Sequence, residues 1–293
     1  AATELKIQTV AIFTFEDRYS LHRFKADQSF QIGDETEALK PYLDIEAIIK
    51  VAKDNQVDAI HPGYGFLSEN VDFVRRCQEE GIIFVGPKPE AMERLGDKVA
   101  AKKVATALHI PVITDSKIDL TTVEIALSEA ERIGYPVMVK AAAGGGGRGM
   151  RVVRGADDMK TAFQNAKSEA LKAFGDDTLF IEKFIDNPKH VEVQILGDNH
   201  GNIVHLYERD CSVQRRFQKV IEIAPSILQQ QTKQQLYEYA VRIAREVNYN
   251  NAGTVEFLVD KDENIYFIEV NPRIQVEHTI TEEITGIDLV RSQ

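Results

Sequence analysis

A chain of 293 residues, 43% hydrophobic and 28% charged, has ordinary globular composition and length enough for two domains or one large one with lobes. A formal net charge of −11 and a pI near 5.2 argue against nucleic acid or a membrane surface as the main partner. Any anion site must then be a local gathering of Lys, Arg and backbone N–H groups. No apolar run is long enough to span a bilayer, and no signal peptide is visible. Cys77 and Cys211 fit neither a metal spacing nor a disulfide framework, and read as structural thiols. They favour a reducing compartment.

The chain starts without Met on Ala1 to Lys6, which reads as a helix already under way, and stops at Arg291-Ser292-Gln293 without a terminating signal, so it reads as an excised fragment. Gln8 to Phe13 is a buried-strand run. Asp44 can cap a helix over Ile45 to Asp54, whose Ile45, Ile48, Ile49 and Ala52 form one apolar stripe. Val57 to Ile60 reads as a short strand, Val71 to Glu80 as a helix and Gly81 to Gly86 as a strand. This alternation predicts a parallel sheet wound with helices. A boundary is expected near Gly96, after which Asp97 caps a helix from Lys98 to Leu108. The middle of the chain predicts a helix from Val123 to Ile133 stopped by Gly134, a strand from Pro136 to Lys140, a strand from Met150 to Arg154 and a long helix from Ala156 to Phe174. Strands follow at Thr178 to Ile185, His190 to Leu196 and Ile203 to Glu208, then a helix from Gln229 to Val247. No internal repeat or low-complexity tract appears.

A hairpin closes the chain's chemistry-bearing part. If Asp260 pairs with Ile265, period-2 alternation sets Leu258 against Phe267 and Glu256 against Glu269. Like charges directly opposite are destabilising, so one carboxyl is protonated or a cation lies between them. Paired carboxylates suit Mg2+, which takes oxygen ligands and completes its shell with water and substrate phosphates. Asn271 projects from the same face as a third oxygen ligand. The alternative is a wet hairpin carrying two solvated acids.

Gly144-Gly145-Gly146-Gly147-Arg148-Gly149 lets backbone N–H groups close on an anion without Cβ obstruction. It is neither a P-loop nor a dinucleotide fingerprint, because the next segment has strand period. Joining two antiparallel strands, it reads as a flap over nucleotide phosphates, with a linker as the alternative. Lys140 just upstream sharpens the phosphate reading; Lys98 is placed to reach a phosphate too, or is a plain helix-surface lysine. In Asn271-Pro272-Arg273-Ile274-Gln275-Val276-Glu277-His278, alternation would put Arg273, Gln275 and Glu277 on one face. An Arg fork and an amide suit a small planar carboxylate-like anion, and a carboxylate beside them could take its proton if burial moves its pKa toward the working pH. His278 is the other candidate base, or a packed structural histidine.

Lys140 with Gly144 to Gly149, Glu182-Lys183-Phe184, Glu256 and the run Glu269 to His278 together resemble the ATP-grasp biotin carboxylases. His61 to Asn70 and Glu208-Arg209-Asp210-Cys211-Ser212 match as well, so the likeness covers essentially the whole chain. Asp17 to Asp27 and Thr279 to Gly286 look most like the pyruvate carboxylase branch, with acetyl- and propionyl-CoA carboxylases as close neighbours. The resemblance implies a Rossmann-like parallel α/β pre-ATP-grasp domain over 1–96, lacking its first strand. An ATP-grasp fold of two lobes would cover 97–293, with a lid lobe near 116–185.

It also implies a ligase. ATP, bicarbonate and biotin on a carrier domain, in cis in the parent chain, would give ADP, phosphate and carboxybiotin by way of carboxyphosphate. Carried over by position, Lys98 and Lys140 contact ATP phosphates and Gly144, Gly145, Gly146, Gly147 and Gly149 form the lid loop. Glu182 and Lys183 meet the adenine, Leu258 packs on it, and His190 and Gln214 lie along the nucleotide. Glu256 and Glu269 bind Mg2+ or Mn2+. Arg273, Gln275 and Val276 hold bicarbonate, Glu277 is its base, and Lys219 positions the transferred phosphoryl. Self-association in the full protein is implied as well. The sequence departs from the family pattern at Phe217, where several relatives have His; the family's first strand would precede Ala1, and its final lobe would follow Gln293. Competing readings are an acyl-CoA carboxylase component, another bicarbonate-using ATP-grasp ligase such as one making carbamoyl phosphate, and a non-catalytic nucleotide-binding module.

Overall fold

The computed structural model describes residues 1–116, 118, 120–142, 150–215 and 218–293. Its first third holds β1 (Val10–Phe13), α1 (Leu21–Lys25), β2 (Gln28–Gln31), α2 (Ile45–Asp54), β3 (Ala59–Ile60), α3 (Val71–Glu79), β4 (Ile83–Phe84) and α4 (Pro89–Gly96). The cap on α2 forms as expected: Asp44 Oδ1 accepts from Ala47 N at 3.0 Å, and Ile48, Ile49 and Ala52 are buried. Parallel pairing is also found, but as two separate pairs, β1 with β2 and β3 with β4, rather than one sheet. Two expectations need correction. Ala1–Lys6 is a run of turns, closed by Lys6 at φ +59, a left-handed conformation that ends helical winding. The expected buried strand is shorter and only Phe13 in it is buried; its partner β2, too polar to announce itself, was not anticipated.

A helix α5 (Lys98–Ala107) starts at Asp97, whose carboxylate accepts from Ala100 N at 2.8 Å. Next, α6 (Val123–Ile133), β5 (Val137–Ala141), β6 (Arg151–Val153), α7 (Ala156–Phe174) and β7 (Leu179–Lys183) build a small antiparallel sheet, ordered β6-β5-β7. One face of that sheet is packed by the two helices through Val137, Val139, Ile181, Met159 and Phe163. Gly134, at φ +83, ends α6 as the sequence predicts. The glycine run 144–149 and Phe217 lie outside the described residues.

The central sheet is antiparallel, ordered β10-β9-β8-β11-β12, from β8 (Lys189–Gly197), β9 (Ile203–Arg215), β10 (Gln218–Ile223), β11 (Asn251–Val259) and β12 (Ile265–Asn271). The helix α8 (Gln230–Glu246) packs on it, and α9 (His278–Thr285) and α10 (Leu289–Ser292) end the chain. β9 runs well past its expected end, and β10, α4 and α9 were not anticipated. Alternation divides this sheet cleanly. Val191, Val193, Ile195, Val255, Phe257, Val259, Ile265 and Phe267 point into one core with α5 and α8, while the polar residues between them point to the opposite face. Phe257 is fully buried there, so Phe257→Ala should lower unfolding free energy by about 3–5 kcal/mol, read as a fall in urea midpoint at unchanged slope.

The closing hairpin corrects the expected register while keeping the acid pair. Near the turn Val259 pairs with Ile265, Leu258 with Tyr266 and Phe257 with Phe267, one step off the expected pairing of Leu258 with Phe267. A bulge between Glu256 and Phe257 then spends one extra residue, Ile268, on β12, and Glu256 comes opposite Glu269 after all. Segment 111–116 ties the two sheets together: Phe267 N donates to Pro111 O at 2.8 Å, Lys183 N to Thr114 O at 2.8 Å and Ser116 N to Ile181 O at 2.7 Å. Among the described residues no helix is long and apolar enough to cross a membrane.

Candidate active site

The polar face of the central sheet gathers its residues by register. His190, Glu192 and Gln194 on β8 stand beside Leu258, Glu256 and Thr254 on β11; Arg209 joins them from β9, and Glu269 and Asn271 from β12. Lys219 enters from β10, opposite Gln214. All of these are polar except Leu258, and several are almost fully buried, so each must find a partner within the protein.

Lys219 is the centre of that satisfaction. Its ammonium bonds Glu192 Oε2, Glu256 Oε1 at 2.8 Å and Glu277 Oε1 at 2.9 Å, one carboxylate for each N–H. Burial works against the charge, but Glu192 and Glu256 outweigh it and keep Lys219 protonated far above its ordinary range. Burial would likewise raise Glu277, yet the bond and charge from Lys219 hold its carboxyl below the usual carboxylate range. The sequence-based condition that burial moves this carboxylate toward neutral pH is therefore not met; Glu277 is ionised at neutral pH.

Glu256 is 3% exposed, which removes the wet-hairpin alternative. Burial opposes its ionisation, and His190 and Lys219 overcome it, so its pKa is lowered. Oε1 also accepts from Asn271 Nδ2 at 2.7 Å and Gln275 Nε2 at 3.1 Å, and Oε2 meets His190 Nε2 at 2.6 Å. Gln214 Nε2 donates to His190 Nδ1 at 2.7 Å, so His190 carries its proton on the nitrogen facing Glu256. Glu269 is matched separately, by Lys98 Nζ at 2.6 Å, with the Lys98 side chain itself largely exposed. The two opposed carboxylates, each already drawing a cation, could hold Mg2+ or Mn2+ through oxygen. The Asn271 amide gives Nδ2 to Glu256 and Oδ1 to Arg273, so it would have to turn over to serve as a third oxygen ligand. A second acidic group, Glu192, Cys211 and Glu277, brings potential ligand atoms within 4.8 Å of one another. Lys219 already bonds both of its carboxylates, and burial together with Glu192 pushes the Cys211 thiol up, so it stays protonated.

The run after β12 is not the extended segment that alternation suggested. It bends at Arg273, turns at Val276 and Glu277, and passes directly into α9 with Glu277 at the cap position. Arg273, Gln275 and Glu277 therefore reach the site from a bend, not from one strand face. Arg273 pairs with Glu69 at 3.4 Å and donates to Asn271 Oδ1 at 3.3 Å. Val276 is exposed, and His278 Nδ1 lies 2.6 Å from Gln275 O, as a structural histidine would. On the smaller sheet Lys140 pairs with Glu182, whereas Lys183 donates to the carbonyls of Gly134 and Tyr135, both at 2.9 Å. Direct bonds thus connect Lys219, Glu256, Glu277, Gln275, Asn271, Arg273, His190 and Gln214. Lys98 with Glu269, and Lys140 with Glu182, form separate pairs. Sequence reasoning passed over Glu192 and Arg209 as site residues; the alternating His190-Val191-Glu192-Val193-Gln194, with charge facing a buried acid strand, was the available signal.

The family model for the biotin carboxylase N-terminal domain matches residues 1–92, and that for the carbamoyl-phosphate synthase L chain ATP-binding domain matches residues 97–293. The chain belongs to the biotin carboxylase family. Pyruvate carboxylase of Bacillus subtilis is 57% identical over 294 residues, which span 100% of this chain and 26% of that protein. Human mitochondrial pyruvate carboxylase is 53% identical over 294 residues, spanning 100% and 25%. The chain therefore covers about a quarter of the length of these relatives. Among solved structures, Campylobacter jejuni biotin carboxylase in a beta-gamma-ATP complex superposes with a TM-score of 0.88 at 48% identity, covering 99% of this chain and 65% of that one. The biotin carboxylase domain dimer of Hydrogenobacter thermophilus 2-oxoglutarate carboxylase, in complex with MgADP, ADP and bicarbonate, gives 0.87 at 47% identity, covering 99% and 64%. Like these biotin carboxylases, the chain combines an N-terminal α/β unit with an ATP-grasp fold, the architecture expected from its sequence.

Proposed function

We propose that this chain is the biotin carboxylase component of a pyruvate carboxylase, which uses ATP and bicarbonate to carboxylate biotin on a carrier domain. The observation that carries the reading is the buried network in which Lys219 joins Glu192, Glu256 and Glu277 beside Gln275 and Arg273. Arg273, Gln275 and the Val276 backbone would seat bicarbonate; Glu277, ionised beside it, would accept its proton as an oxygen attacks the γ-phosphorus and ADP leaves. Lys219 would offset the charge that develops on the transferred phosphoryl. Lys98 and Lys140 would exchange their carboxylate partners for ATP phosphates, and Glu182, Lys183, His190, Gln214 and Leu258 would line the nucleotide. A divalent cation held by Glu256 and Glu269, with Asn271, would neutralise phosphate charge.

In the same reading the chain divides at 96/97 with a lid lobe near 116–185, a division supported by the separate small sheet and its own helices. The carrier would act in cis in the parent chain and the parent would be a homo-oligomer, cytoplasmic or mitochondrial; the identity to pyruvate carboxylases supports this over an acyl-CoA carboxylase component. The test is ATP hydrolysis by the full-length protein. Turnover should require bicarbonate and rise with free biotin; turnover that needs glutamine or ammonia instead would sink the proposal in favour of a carbamoyl-phosphate-type ligase.

A further inference from the structure

Arg209 is the largest fully buried side chain of the described residues, with 0% exposure, and no step above uses it. Its five N–H groups are all spent. Nε donates to Glu192 Oε1 (2.5 Å), Nη1 to Gln194 Oε1 (2.8 Å) and Thr281 Oγ1 (2.9 Å), and Nη2 to Thr254 Oγ1 (3.3 Å) and Gln275 Oε1 (3.2 Å). Those partners lie on β8, on β11 and along the stretch that runs from the bend after β12 into α9, so one planar fork ties together three separate pieces of backbone.

Two of the bonds carry direction into the site. A guanidinium only donates, so the Gln275 atom it meets must be the amide oxygen, and the NH2 end is turned onto Glu256 Oε1 at 3.1 Å. On the other side, Arg209 takes Glu192 Oε1 and leaves Oε2 to accept from Lys219. Without that fork a buried amide can rotate end for end, since its two ends differ little in shape. We propose that Arg209 is a positioning residue which fixes the polarity of the anion seat, holding the Gln275 amide with its donor end inward and the Glu192–Lys219 pair in place. The proposal rests on the assignment of Gln275 and Lys219 to the bicarbonate side of the site. Lysine cannot replace this residue: its three donors sit on one atom and cannot span five acceptors on three backbone pieces.

In the full-length protein, Arg209→Lys is expected to raise the KM for bicarbonate at least tenfold and lower kcat, while the Kd for MgATP measured by calorimetry stays within twofold. Thr281→Val, which removes a partner of the same guanidinium outside the seat, should lower Tm and leave the bicarbonate KM within twofold. Should Arg209→Lys not fold, the double variant Arg209→Gln with Glu192→Gln removes one charge of each sign and must show the same rise in bicarbonate KM. A bicarbonate KM within twofold of the parent's, or a Kd for MgATP weakened in proportion, overturns the proposal alone. An unsubstituted protein whose ATP turnover ignores bicarbonate overturns the functional reading and takes the proposal with it.

Discussion

Lys219→Met is expected to cost about 3–5 kcal/mol of stability at neutral pH, because it leaves buried carboxylates without their shared cation. Glu192 retains Arg209 and Glu256 keeps its hydrogen bond to His190, but Glu277 has no other ion-pair partner among the described residues. In the parent, Glu256 and Glu277 both have lowered pKa values. Each therefore contributes stability that is present above its unfolded-state pKa, near 4.5, and is lost as pH falls through the lower folded value. Removing Lys219 leaves burial, which raises the Glu277 carboxyl, opposed only by its own backbone N–H and the charge of Arg209, so protonation relieves the variant at a higher pH than in the parent. Urea unfolding at pH 7 and pH 4.5 reads this directly. The deficit should be clearly smaller at pH 4.5, and an equal deficit at both pH values would show that lost packing, not unpaired charge, is the cause.

Glu277→Gln should lower bicarbonate-dependent ATP hydrolysis by about 10²–10⁴-fold, the span of a lost general base. The amide oxygen can still accept from Lys219, so the bend into α9 and the Kd for MgATP should hold within a few-fold. Because the Glu277 carboxyl lies below its ordinary value of 4.5, no acid limb from this group should appear in the parent's kcat/KM between pH 5 and pH 7. Steady-state rates of the full-length protein across that range check both parts. Activity within tenfold of the parent would move the base elsewhere, and His278 is a poor replacement, since its Nδ1 is engaged by a backbone carbonyl.

What could be read from the sequence was what local chemistry decides. Asp44 and Asp97 cap helices where their side chains say they should, and Gly134 stops one. Features set by distant partners were missed. Gln28–Gln31 is a strand because β1 lies beside it, not because it alternates. Gln218–Ile223 pairs irregularly along an exposed edge, so its pattern is blurred. The acids of the hairpin were legible because both carry charge within apolar strands. Arg209 and Glu192 were legible only as residues, since their meaning depends on β8 and β9 lying in register with β11. Likewise, alternation read through Asn271 to Glu277 failed because Pro272 and the turn at Val276 leave no strand to alternate along.

The extra residue at Ile268 shifts the phase of β12 by one. Ile265 and Phe267 face the apolar core; past the bulge Val270 rejoins that core while Glu269 and Asn271 face the charged side. Without Ile268, Phe267 and Glu269 would follow one another in plain register, and both Phe257–Phe267 and Glu256–Glu269 would still pair. Pairing is therefore not what Ile268 secures. It secures the aim of everything downstream, because a bulge bends and twists its strand and the bend after Asn271 hangs from that end. One strand thus gives Phe267 and Val270 to the core, gives Glu269 and Asn271 to the charged side, and sets the direction in which Arg273, Gln275 and Glu277 continue.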